Sequence, residues 1–281
     1  MISSCLRNVA VAFVFLLALA APRAALALES EWFDAGHAQV RLIADAGGDG
    51  PRAGIEIRLA KGWKTYWRYP GDAGVPPRFD WSGSENLQSA KVEWPAPAMF
   101  VDESGSKSIG YHDRVVFPVA IASADVGQPI RLHLKLDFAV CEKLCVPAQA
   151  ETTLVIPVES GDLSEALEQA ITAVPQRAVL GENADKPGAL AVMNIRIEHG
   201  DKPRAIIAVR APAGSNPQLF AEGPTDQWAL PLPEKLDEED GLTRFSLTFD
   251  GAPPGARPIP PKLILTLVTE GGAREVEIPL E

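Results

Sequence analysis

Long apolar runs, clustered histidines and surplus positive charge are all scarce in this chain of 281 residues, and each shortage excludes a class of function. The four histidines, His37, His112, His133 and His199, are dispersed along the sequence. There is no His-Glu-x-x-His, no Gly-x-Ser-x-Gly and no Walker loop. Gly47-Gly48-Asp49-Gly50 lacks the Lys-Ser/Thr and helix that would make it a phosphate cradle. After Ala21 no stretch approaches the ~20 apolar residues a membrane-crossing helix needs. Cysteine is rare as well: Cys5, Cys141 and Cys145 are the full complement.

Residues 1–27 read as a secretory signal. Arg7 supplies the charged start, Val9 to Ala21 the apolar run, and Ala25-Leu26-Ala27 the small residues of a cleavage site. Cleavage after Ala27 removes Cys5, Arg7 and Arg23 and leaves 24 Lys and Arg against 37 Asp and Glu, a net charge near −13. Such an acidic product is a poor partner for nucleic acid or an anionic membrane surface, and no membrane insertion is expected after processing. The 25 Pro and 23 Gly are scattered rather than bunched, which argues for a folded chain.

The length suggests two domains. Arg131 to Phe138 alternates apolar and polar residues strictly, as a strand with one wet face does. Similar stretches are Ala38 to Ile43, Gly54 to Ala60, Val115 to Ile121 and Thr152 to Val158, separated by Gly and Pro clusters at Gly47 to Pro51 and Pro70 to Pro77. Short, evenly punctuated strands predict an antiparallel sandwich. From Leu163 to Val174 the period changes to that of a helix, which Pro175 ends. Strands are expected again at Ala191 to Ile197, Ala205 to Val209, Thr243 to Phe249, Lys262 to Thr269 and Glu275 to Leu280. The expected organisation is therefore all-β: a signal over 1–27, a first domain over 28–160, a helical linker over 161–175 and a second β domain over 176–281. The second contains no thiol and is expected to fold independently. Its acidic run Asp237-Glu238-Glu239-Asp240 reads as a solvated loop, since a Ca²⁺ loop needs spaced oxygens and a turn glycine.

Cys141 and Cys145 are what remains for chemistry. Four residues apart in a straight strand would separate them by roughly 13 Å, whereas a disulfide needs Cα atoms within about 7 Å, so the chain must turn between them. With Leu132, Leu134, Leu136, Phe138 and Val140 inward, Cys141 points outward, where a partner is expected to reach it. Export makes a disulfide the default state. A loop this small restrains the unfolded chain by only about 2 kcal/mol. The residues themselves leave three readings open: a redox pair, a structural staple, or a soft-metal site. Lys143 would stabilise a thiolate and Glu142 oppose it, so the local sequence sets no direction for the thiol pKa.

Four elements in order carry a resemblance: Gly62-Trp63-Lys64-Thr65-Tyr66-Trp67-Arg68; Pro70-Gly71-Asp72-Ala73-Gly74 with Pro76-Pro77; Gly110-Tyr111 before Val116-Phe117-Pro118-Val119; and Cys141/Cys145 followed by Val146-Pro147. Over residues 30 to 158 they resemble the N-terminal periplasmic domain of the thiol:disulfide interchange protein DsbD, most of all in its ScsB (suppressor of copper sensitivity) form. The resemblance implies an immunoglobulin-like sandwich, followed here by the short helix and a second sandwich-like domain. It implies that Cys141 and Cys145 cycle between dithiol and disulfide in exchange with thioredoxin-like or membrane-embedded oxidoreductases of the periplasm, with no cofactor. It also implies a shielding cap from Met99 through Glu103, with Phe100 as aromatic cover, Asp102 and Glu103 beside it, and Tyr66 and Trp67 flanking the pair. The spacing departs from DsbD, where five residues rather than three separate the cysteines. Cys141 is expected to meet the partner and Cys145 to resolve. The rival reading is a copper-tolerance protein holding Cu(I) on Cys141 and Cys145 with Met99 or His112; the third is a non-catalytic module with an inert disulfide.

Overall fold

The computed structural model describes residues 28–45, 50–158, 164–183, 186 and 188–280. The expected signal with Cys5, turn residues 47–49, Leu163 and the boundary expected at 160 lie outside these.

Twelve strands come first: β1 (Leu28–Glu29), β2 (Phe33–Asp34), β3 (Ala38–Asp45), β4 (Arg52–Leu59), β5 (Lys64–Gly71), β6 (Arg78–Asp80), β7 (Leu87–Val92), β8 (Ala98–Val101), β9 (Lys107–His112), β10 (Arg114–Ser123), β11 (Ile130–Cys141) and β12 (Cys145–Ile156). They form two antiparallel sheets, one ordered β1-β3-β4-β10-β7 with β2 beside β3, the other β12-β11-β5-β9-β8 with β6 beside β11. Alternation decides their faces. Leu132, Leu134, Leu136, Phe138 and Val140 of β11 meet Val40, Leu42, Ile55 and Ile57 of the opposite sheet in one apolar cluster. This is the antiparallel sandwich that the alternation predicts, in the immunoglobulin-like form that the resemblance implies.

Helix α1 (Glu165–Thr172) starts at Ser164, whose Oγ accepts the amide N–H of Leu167, and carries Glu165 and Glu168 in its first turn. Its Leu167 and Ala170 pack on Ile43 and Val116, on the outer face of the first sheet. Gly54 makes that seat possible, because a Cβ there would lie 3.0–3.1 Å from Ile43, Val116 and Leu167. The segment expected as a linker is thus a helix docked on the first sandwich.

Eight strands follow: β13 (Gln176–Ala178), β14 (Ala191–Glu198), β15 (Arg204–Arg210), β16 (Gln218–Glu222), β17 (Glu234–Glu239), β18 (Leu242–Thr248), β19 (Lys262–Thr269) and β20 (Gly272–Pro279). They make two four-stranded sheets, β13-β20-β19-β16 and β14-β15-β18-β17, around a core that includes Ile207, Phe245, Leu247 and Leu265. The acidic run expected as a loop lies mostly on β17, an edge strand with every residue exposed, where Arg244 donates to Asp237 at 2.6 and 2.7 Å. Solvation and that ion pair offset the poor strand propensity of the acids, and charge on an edge discourages further pairing.

The two sandwiches meet closely. Phe220 and Leu232 of the second belong to the apolar cluster of the first, and the Phe220 ring lies 5.7 Å from that of the fully buried Trp67. Arg68 donates to both Glu222 and Glu275, and the Tyr69 hydroxyl donates to the Leu230 carbonyl.

Candidate functional site

β11 and β12 form a hairpin whose tip is Glu142-Lys143-Leu144, and Cys141 and Cys145 stand directly opposite each other as its last paired residues. Opposed residues of an antiparallel ladder have Cα atoms about 4.5–5.5 Å apart, inside the disulfide range. The sulfurs are unbonded here. The register continues across the sheet, so that Cys145, Cys141, Lys64 and His112 lie in one row over β12, β11, β5 and β9. A row shares a face. That face is the one turned away from the sandwich core.

Alternation places Cys141 outward correctly, but openness does not follow. Tyr66, on the same face of β5, covers it together with Ala139, and Cys141 is only 7% exposed. Cys145 is exposed. Cys141 is thus outward yet shielded, because a neighbouring strand supplies a cover that a pattern along β11 cannot reveal.

The Tyr66 hydroxyl lies 2.9 Å from the Cys145 sulfur. Burial pushes the Tyr66 phenol well above its ordinary pKa, and its contacts with the two sulfurs push in the same direction, so it remains protonated and available as a donor. Burial also raises the Cys141 thiol; the Tyr66 hydrogen bond opposes that rise, the Cys145 neighbour adds to it, and the Lys64 charge opposes it. Lys64, which donates to Ser108 Oγ at 2.8 Å, is the cation the site uses, in the place the sequence reading gave to Lys143. Thr65 braces the hairpin from the core side by donating to the Ala139 carbonyl at 2.9 Å. Gly74 closes over Tyr66: at φ +141° it suits glycine, and a Cβ there would fall 2.4 Å from the phenol ring. Lys64, Thr65 and Gly74 all lie within the motifs that carried the resemblance, although nothing local in the sequence states their roles.

The segment expected as a cap loop is a hairpin of β8 and β9. Phe100, half-buried on β8, sets its ring 5.7 Å from the His112 ring and 5.6 Å from Lys64 Nζ. Three strand steps of about 4.8 Å separate its backbone from β11, so Phe100 stands at the rim of the pair while Tyr66 lies on it. Asp102 and Glu103 are exposed at the hairpin tip, where the Asp102 carboxylate accepts from Ser104 N, Ser104 Oγ and Ser106 N. Met99 pairs with the buried Ile109 and packs into the first core, on the sheet face opposite the cysteines. His112 shares their face, and its Nδ1 is bonded to the carboxylate of Asp113. The four residues of the copper reading are therefore not assembled; Met99 fails because strand parity turns it inward. Among the described residues no three His, Cys, Asp or Glu side chains are grouped to hold a metal.

Exposed apolar residues flank Cys145 in the chain. Leu144 at the tip is 79% exposed and Val146 is exposed too, although its pairing with Val140 sets it on the sheet face opposite the sulfurs. A groove of about 530 Å³ is lined by Val75, Pro76, Phe138 and Pro147 together with the polar Arg78 and Asp137.

Residues 32–157 match the family model of the thiol:disulfide interchange protein DsbD, N-terminal domain, which bears out the resemblance carried by the motifs. The crystal structure of the N-terminal periplasmic domain of ScsB from Proteus mirabilis is similar to this chain with a TM-score of 0.67 and 22% sequence identity, over 90% of this chain and 98% of that one. The likeness is one of fold, and its extent carries it well beyond the first sandwich. No curated protein matches the chain.

Proposed function

We propose that this chain is a periplasmic thiol-disulfide exchange module that relays electrons through Cys141 and Cys145 to or from thioredoxin-like or membrane-embedded partners. One observation carries the reading: two opposed cysteines at a hairpin tip, one exposed beside the hydroxyl of a tyrosine and one buried against that tyrosine. The family match over residues 32–157 supports it. The expected signal over 1–27 supports export, and no helix among the described residues is long and apolar enough to cross a membrane.

With the pair oxidised, a partner thiolate attacks the sulfur of Cys145. The intramolecular S–S bond breaks, a partner–Cys145 disulfide forms, and Cys141 leaves as a thiolate that takes a proton. A second thiol of the partner then attacks its own sulfur in the mixed disulfide, so that the partner leaves oxidised by two electrons and the pair remains as a dithiol. Delivery runs the other way: the Cys145 thiolate attacks an acceptor disulfide, and Cys141 attacks Cys145, expelling the acceptor as a thiolate. Burial suits Cys141 to the resolving role, since its thiol is raised and shielded from foreign disulfides until Cys145 is engaged. Leu144, exposed at the hairpin tip beside Cys145, gives a partner an apolar footing. Phe100, Asp102 and Glu103 form the outer rim that limits access. The sulfurs perform the chemistry without a bound cofactor.

Trapping tests the assignment. A Cys141→Ala variant keeps the exposed sulfur and should accumulate mixed disulfides with thioredoxin-like partners, whereas Cys145→Ala should accumulate few. The reverse pattern would give the first encounter to Cys141, and no trapping with either would leave the pair as a staple.

A further inference from the structure

Strand β16 has two faces with different duties. Leu219 and Ala221 lie in the core of the second sandwich. The alternate residues, Gln218, Phe220 and Glu222, all reach the first sandwich. Gln218 Oε1 accepts the Met99 amide at 3.3 Å, Phe220 packs on Trp67, and Glu222 takes both the Nε and an Nη of Arg68 at 2.7–3.0 Å. Glu275 on β20 takes Arg68 Nη2 as well, at 2.6 Å.

The elements gripped in this way are β5, which pairs with β11 beside the cysteines, and β8, which carries the rim. Met99 is on β8 next to the rim residue Phe100. Trp67 and Arg68 follow directly after Tyr66 on β5, and Tyr69, next in line, is tied to the Leu230 carbonyl. Between Tyr66 and Gly71 the pairing of β5 with β9 shifts register. The residues that leave that ladder are thus the ones held by the second sandwich. The Arg68 guanidinium also lies 4.4 Å over the Trp67 ring, which stacks the clasp on the buried anchor.

We infer that the second sandwich is a brace for the redox site: Gln218, Phe220 and Glu222 are positioning residues that hold β5 and β8 so that Tyr66 stays over Cys141. This rests on the exchange function proposed above and extends it, giving the thiol-free unit a part in setting access and potential. Loss of the clasp frees β5 beyond Tyr66, weakens the hydroxyl contacts that stabilise the dithiol form, and lowers the reduction potential of the pair.

The test uses the full chain with Glu222→Gln, which is isosteric, and Gln218→Ala, which removes one acceptor, so that folding does not depend on truncating Phe220. Reduced protein is pulsed with an alkylating reagent, and tryptic cleavage after Lys143 separates labelled Cys141 from labelled Cys145. Labelling of Cys141 should rise about three- to tenfold in Glu222→Gln, as expected for a closed-to-open equilibrium that loses a partly buried charge-assisted bond. It should rise less in Gln218→Ala, and the potential of both variants in dithiothreitol buffers should fall below that of the wild type. Arg244→Gln, which breaks an exposed ion pair in the other sheet, should change neither. Unchanged labelling and potential in the brace variants, or an equal rise with Arg244→Gln, would overturn the brace while leaving the relay standing. A wild-type pair as resistant to reduction as an inert structural disulfide would sink the relay, and the labelling comparison would still decide the brace.

Discussion

The hydroxyl of Tyr66 and the sulfur of Cys145 lie 2.9 Å apart, while the ring of the same tyrosine covers Cys141. One side chain thus separates the roles of two cysteines that sequence spacing makes equivalent. Burial holds the phenol far above its ordinary pKa, so it keeps its proton and can donate a hydrogen bond to a thiolate sulfur.

Replacing Tyr66 with Phe keeps the cover and removes the donor. The Tyr66 bond opposes the burial that raises Cys141, so its loss should move the Cys141 thiol further up. At a fixed pH below that value less thiolate is present and alkylation slows. A pH–rate profile of Cys141 labelling should shift to higher pH in Tyr66→Phe, and a shift to lower pH would show that the hydroxyl does not stabilise the thiolate.

Phe100 stands at the rim. Its ring rests on His112 and Lys64, so Phe100→Ala should free Lys64 and quicken labelling of the reduced pair by about two- to threefold, less than the full unmasking of a buried group. Competition between labelled wild type and variant in one tube measures this directly. Equal rates would remove Phe100 from the control of access.

Much of the first sandwich was legible because β11 keeps a period of two from Ile130 to Phe138 and carries its core on alternate residues. The same parity places Cys141 outward and Met99 inward once strand ends are known. What could not be read were relations between strands. The cover of Cys141 comes from β5, the cation near it from Lys64 of that strand, and the clasp on Arg68 from β16 and β20, separated from it by 154 and 207 residues. Strands β5, β8 and β16 were also missing from the pattern. They are short or irregular, and each carries residues whose burial depends on the neighbouring sandwich rather than on its own alternation. The family motifs marked the right stretch, Gly62 to Arg68, without revealing that its two ends serve the sulfur pair and the interface.

Glu56 offers a test of stability away from the site. Its carboxylate has no exposed surface and is bonded by Arg41 and Arg114 at 2.7 Å and by Arg58 at 3.3 Å. Burial alone would raise its pKa, but the hydrogen bonds from Arg114 and Arg41 outweigh it and hold the group below the ordinary carboxylate range. A lowered folded-state pKa gives stability that is complete above the unfolded value and disappears as pH falls through the folded one. Glu56→Gln should therefore cost about 2–4 kcal/mol near neutrality, and the gap from wild type should narrow in acid. Urea unfolding at a series of pH values measures that difference. A gap that widens as pH falls would contradict the sign.

The second sandwich, expected from the sequence to fold independently, shares an apolar cluster with the first. Trp67 has no exposed surface in the intact chain because Phe220 and Leu232 complete the cluster around it. Cutting the chain to residues 28–160 strips both side chains away, along with α1 on the opposite face, and leaves Arg68 without Glu222 or Glu275. Burial of a large apolar side chain is worth about 1.5–3 kcal/mol, so loss of the two interface residues alone should lower the stability of the first sandwich by about 3–6 kcal/mol. The ion pairs add less, since all three partners retain some exposure to water. The fragment should unfold at a clearly lower urea concentration than the first sandwich does within the full chain, with Trp fluorescence reporting the exposure of Trp67. Matching midpoints would mean that the two sandwiches only touch, and that the apolar cluster spanning them adds nothing to the stability of the first.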